Sequence, residues 1–119
     1  MPRRYKTYAA ETGVAYRYFF ESRRSLVRPA GLGPGSDYIF VVTADQRPPF
    51  ELRVFVSERA IAACRAAHSR QLDPSEQYAL AKMKLFQAFD ELEDVRAESL
   101  SLVVDESNVE ELLAALDLV

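Results

Sequence analysis

The sequence predicts an α+β domain: a mainly antiparallel sheet of about four strands, packed with three helices in the order βββααβα. Three observations carry this. Apolar residues alternate with period 2 in the first half, the period lengthens to 3.6 after Ser57, and one last alternating stretch separates two helical ones. Strands followed by helices argue for helices on one face of a largely antiparallel sheet. A chain of 119 residues is one domain by length, and no repeat or linker divides it. The expectation is therefore one domain over 1–119, with a flexible N-terminal arm at 1–8 and a mobile loop at 22–36.

In Tyr5–Tyr8 the alternation is too short to fix more than an extended arm. Val14–Glu21 is a strand rich in aromatic residues, with Val14, Tyr16, Tyr18 and Phe20 on one face and Ala15, Arg17, Phe19 and Glu21 on the other. Pro29, Gly31, Gly33, Pro34 and Gly35 break the tract Ser22–Ser36 and predict a loop. The centre of the sheet is a hairpin of Tyr38–Ala44 and Phe50–Val56, joined by a polar turn at Asp45–Pro49. Phe50, Leu52, Val54 and Val56 alternate with Glu51, Arg53, Phe55 and Ser57, the pattern of a half-buried strand. Tyr38–Ala44 is apolar on both faces, so its second face needs a cover.

Ser57 is an N-cap for a helix over about Glu58–Gln71, with Ile61, Cys64, His68 and Leu72 at helical spacing. Asp73-Pro74-Ser75-Glu76 is a capping box with proline at the first helical position. It opens the principal helix, running to about Glu93. One stripe of that helix holds Tyr78, Ala81, Leu85, Ala88, Phe89 and Leu92; a second holds Ala79, Met83 and Phe86. Two stripes predict two partners, the sheet and the preceding helix. Leu100, Leu102 and Val104 then alternate with Ser99 and Ser101 as a fourth strand. Ser107-Asn108-Val109-Glu110 reads as a second capping box, before a helix that buries Val109, Leu112, Leu113 and Leu116.

Charge is divided along the chain. Residues 1–36 hold seven basic residues against two acids, and residues 90–119 hold ten acids against Arg96, although the net charge is only −3. Either the basic front holds nucleic acid or it faces the acidic rear within the fold. No window is apolar enough for a membrane span. The N-terminus lacks an apolar segment behind its arginines, so a cytosolic protein is expected. One cysteine excludes an intramolecular disulfide.

Motifs for chemistry are weak. Cys64 and His68 share a helical face, but Cys64 sits mid-helix among alanines, where nothing lowers its pKa. One Cys and one His do not make a zinc site. Gly31–Ser36 superficially resembles a phosphate loop, yet it precedes a strand, and Pro34 removes a donor. Asp90–Asp94 lacks the spacing of a calcium loop. No catalytic residue, metal or cofactor is expected, and the chain reads as a non-catalytic module that binds a protein partner or itself. The candidate interaction face is the second sheet face, with Arg17, Phe19, Ile39, Val41, Arg53 and Phe55. Two alternatives stand beside it. One is a nucleic-acid-associated protein using the basic N-terminal third. The other is a small enzyme or ligand-binding domain with a pocket lined by Tyr16, Tyr18, Tyr38 and Tyr78.

Overall fold

The computed structural model describes residues 4–44, 47–99 and 102–118. Among them five strands form one sheet in sequence order: β1 (Lys6–Ala9), β2 (Ala15–Arg28), β3 (Gly33–Ala44), β4 (Phe50–Ser57) and β5 (Leu102–Val104). Three helices, α1 (Glu58–His68), α2 (Pro74–Glu91) and α3 (Val109–Ala115), complete an α+β fold, with a 3-10 turn at Arg96–Glu98. The sheet is mixed. The first four strands are mutually antiparallel, while β5 runs parallel to β4. The connection permits this, since a parallel neighbour needs a crossover of a dozen or more residues and two helices intervene between β4 and β5. The fifth strand is β1, whose Lys6–Ala9 pairs with Tyr18–Ala15. Lys6–Tyr8 of the expected arm is thus paired at the sheet edge, and residues 1–3 lie outside the described residues.

The largest correction concerns Ser22–Ser36. β2 continues to Arg28 and β3 begins at Gly33, so only residues 29–32 turn. Ala30 and Gly31 in this turn, and Gly33 just after it, have positive φ, and Arg59 of α1 ties the turn down by donating to the Gly31 carbonyl at 2.6 Å. Glu21 is a bulge: the register steps from Phe20↔Phe40 to Ser22↔Ile39. The extra residue reverses the facing of everything beyond it. Arg23 therefore lies with the helix-side residue Tyr38, whereas Ser22, Arg24, Leu26 and Arg28 lie on the second face.

The helix-side face is the core expected from the alternation. Tyr16, Tyr18, Tyr38, Phe40, Val42, Leu52, Val54 and Val56 are buried on it, with Phe20 and Phe50 packed at its margin. Above them sit Ala60 and Cys64 of α1, Leu80, Ala81, Leu85, Ala88 and Phe89 of α2, and Val109, Leu112 and Leu113 of α3. Complete burial of a Leu or Phe contributes about 1.5–3 kcal/mol, so this layer dominates the stability. The second stripe of α2 does not turn to α1. Its Phe86 stacks on Tyr8 of β1, with centroids 4.3 Å apart, and the helix packed against α2 is α3.

Both early caps form as read. Ser57 Oγ accepts from the Ala60 amide, and Asp73 with Glu76 makes the reciprocal box. The box at Ser107 does not form. Asn108 precedes α3 without a side-chain cap bond: its Oδ1 accepts from the Asp105 amide and its Nδ2 donates to the Val103 carbonyl. Those bonds fasten the β5–α3 corner, and the residue is more useful there than as a cap. Of the expected alternation around β5, Leu100 and Ser101 lie outside the described residues, as do Asp45 and Gln46 of the β3–β4 turn.

Candidate interaction face

All three helices contribute to the core on one side of the sheet, and the register places the six candidates together on the other. Phe19 faces Val41 across β2–β3, Arg17 faces Thr43, and Ile39 faces Arg53 across β3–β4. Phe55 sits between Asp37 and Val103. Exposure then divides the six. Ile39 is 4% exposed and Phe55 is fully buried, although neither belongs to the core cluster that the helices join.

The seal over Phe55 comes from the hairpin. Gly35 brings β3 so close that an added Cβ would lie 2.5 Å from Phe55 Cζ. The guanidinium of Arg28 lies 4.9 Å from the ring centroid. The same guanidinium donates to Asp37 Oδ1 at 2.7 Å, and Arg53 Nη1 lies 3.8 Å from Asp37 Oδ2. Asp37 is itself only 1% exposed, so this buried carboxylate depends on its arginines; an unpaired charge there costs several kcal/mol, roughly 3–5. The bulge at Glu21 makes the arrangement available, because it is what puts Arg28 on this face. Ile39, Phe55 and the buried side of Arg53 are thus internal structure.

The accessible remainder is a compact patch at the other end of the face. Tyr5, just before β1, meets Phe19 edge to face with centroids 5.0 Å apart, and the Arg17 guanidinium sits 5.0 Å over the Tyr5 ring. Phe19 and Val41 are half-buried, while Arg17, Glu21 and Glu51 are exposed. Arg53 Nη2 lies 3.6 Å from Glu51 Oε2. Tyr5 is the member that sequence reasoning missed. Its signal was present in the alternation of Tyr5 and Thr7 with Lys6 and Tyr8, but four residues were too few to establish a strand.

The other sequence candidates resolve into structure. Cys64 is fully buried, burial pushes its thiol pKa up, and its Sγ contacts the Arg70 carbonyl at 4.0 Å. His68 turns instead to Glu110 of α3, Nε2 to Oε1 at 2.8 Å. Tyr16 stacks flat on Phe89 with centroids 4.1 Å apart, and Tyr78 packs against Phe20 and Phe40. These tyrosines all pack in the sheet–helix interface. A shallow cleft of about 320 Å³ does open beside Tyr38, between Arg23, Glu58, Arg65 and Gln77. Asp90 takes a hydrogen bond from Tyr8 at 2.6 Å and another from the Glu11 amide at 3.0 Å, so it closes the β1–β2 turn onto α2. Among the described residues no group of three His, Cys, Asp or Glu side chains is placed to hold a metal ion. No helix among them is long and apolar enough to cross a membrane.

Comparison of the chain with protein families, curated proteins and solved structures finds no match.

Proposed function

We propose that the chain is a non-catalytic cytosolic interaction module that pairs with a second copy of itself through the Tyr5–Arg17–Phe19–Val41 patch. The observation that carries this reading is a partly exposed aromatic pair, capped by arginine, on a sheet face that no helix covers. Aromatic residues and arginine are the types that protein interfaces concentrate at their centres. The surround carries both signs of charge, Arg17 against Glu21 and Glu51. A two-fold operation brings opposite ends of such a patch together, so a surface of mixed sign can be its own complement.

The same mixture weighs against the nucleic-acid alternative on this face, because Glu21 and Glu51 repel phosphates. Arg28, from the basic third, is also committed to Asp37, and Arg23 Nε donates to Ser36 Oγ at 3.2 Å.

Light scattering behind a sizing column tests the proposal. The parent should show a mass rising toward the dimer with concentration, and Phe19→Asp should hold it at the monomer mass while far-UV circular dichroism stays unchanged. A parent that remains monomeric at high concentration, or a variant that dimerises as the parent does, sinks the reading. Phe55→Asp is unsuitable as a probe, since a carboxylate at a fully buried position unfolds the sheet whatever the face does.

A further inference from the structure

On the helix side, at the open edge of the sheet, two lysines converge with no acid to neutralise them. Lys6 of β1 is the direct cross-strand partner of Tyr18, so both side chains leave the sheet on the same face. Lys82 of α2 reaches down to the same tyrosine. Its Nζ lies 5.9 Å from the Tyr18 ring centroid, 6.0 Å from that of Tyr78 and 5.7 Å from that of Phe86. Among the described residues no carboxylate lies within ion-pair distance of either ammonium. The helical neighbours of Lys82 at three and four positions are Tyr78, Ala79, Leu85 and Phe86, so its own helix supplies none either.

We infer that Lys6, Lys82 and the hydroxyls of Tyr18 and Tyr78 form a binding site for a phosphate monoester dianion. Two ammonium groups call for two negative charges. A dianion satisfies both at once, and the half-buried Tyr78 and Phe86 rings beside Lys82 border the ester's organic group. The protonation states agree with this. Burial, and then the neighbouring Lys6 ammonium, push the Lys82 pKa below the ordinary lysine value, the signature of a cation short of a counter-ion. The Tyr18 and Tyr78 hydroxyls, with pKa values ordinarily at 10.0 and pushed further up by burial, are protonated donors at neutral pH. Lys6 is exposed and Lys82 half-buried, which leaves the site reachable from solvent. It lies on the opposite side of the sheet from the proposed pairing patch and does not depend on it.

Calorimetric titration of the full chain with inorganic phosphate and with phenyl phosphate, at low ionic strength and pH 7, tests the site. The expected result is saturable one-to-one binding, tighter for phenyl phosphate, and tighter than for the monoanion phenyl sulfate. Lys82→Met should weaken it about tenfold or more, as loss of one of two charge-assisted contacts requires. Lys6→Ala, at an exposed position where folding is not at risk, should weaken it similarly, and Lys84→Ala should leave it unchanged. No saturable binding by the parent overturns the proposal, and so does an equal effect of Lys84→Ala. A single-stranded oligonucleotide that binds with a steep salt dependence, where both phosphates fail, also overturns it and points to phosphodiester recognition instead.

Discussion

Gly35→Ala probes the seal over the second sheet face. A Cβ at this position would sit 2.5 Å from Phe55 Cζ, 2.8 Å from Phe55 Cε1 and 2.5 Å from the Val56 carbonyl oxygen, where contacts under 3.0 Å force a shift. Gly35 is not among the residues with positive φ, so alanine meets no backbone strain there. Its lower unfolded-state entropy by itself favours the variant by about 0.4–1 kcal/mol. The steric term opposes this and is larger. Phe55 cannot recoil, because it is fully buried with Arg28 against its ring, and the Val56 carbonyl belongs to the β4 backbone. Overpacking of this kind costs about 1–3 kcal/mol, and more when backbone must move. A net loss of about 1–2 kcal/mol follows, or roughly 5 °C in Tm for a chain of this length. Urea unfolding followed by far-UV circular dichroism measures it. Phe55→Leu in the Gly35→Ala background removes the ring contact and leaves the carbonyl one, so the double-mutant cycle should return a favourable coupling of about 1 kcal/mol. A Gly35→Ala protein at least as stable as the parent would refute the close approach of β3 to Phe55.

Phe89→Ala should cost about 3–5 kcal/mol in the same assay, since the ring is fully buried and stacked on Tyr16 and its removal opens a cavity in the core. Tyr8 donates to Asp90, and that bond pushes its pKa up to about 12 from the ordinary 10.0. The folded state thus holds the phenolic proton more tightly than the unfolded chain. The bond's contribution is complete below pH 10 and disappears as the pH rises toward 12. Tyr8→Phe should accordingly show a shallower fall of stability across that window than the parent, and parallel curves would remove the link. Asp73→Ala should lower the urea midpoint without changing the slope, because Asp73 Oδ1 accepts from the Glu76 amide at 2.9 Å in the capping box. Hydrogen bonds from Ser75 and the Glu76 amide hold the Asp73 pKa below its usual 3.8, so this contribution is present above that pH and is lost as acid protonates the folded state. A variant that loses as much stability with acid as the parent does would argue against the cap.

What the sequence by itself determined about this protein is what depends on near neighbours. Alternation in Tyr16–Phe20 and Phe50–Val56 identifies the buried face, because strand side chains alternate without regard to the partner strand. Ser57 and Asp73-Pro74-Ser75-Glu76 mark helix starts through contacts that span three residues. The six face residues also share one surface, since the same parity places them there. Tertiary structure decided the rest. The glycine- and proline-rich Ser22–Ser36 tract looks like a loop locally, yet β2 and β3 pair through it, and the Glu21 bulge that aims Arg28 at Asp37 and Phe55 exists only in that pairing. The direction of β5 is set only in its pairing with β4, and Ser107 is not the cap its pattern predicts because its amide and hydroxyl both donate to Asp105 Oδ1. Burial of Ile39 and of Phe55, the latter under Arg28, narrowed the candidate face to Tyr5, Arg17, Phe19 and Val41. Parity along a strand says which way a side chain points; whether a residue from another strand then closes over it is set by long-range register, which no local pattern encodes.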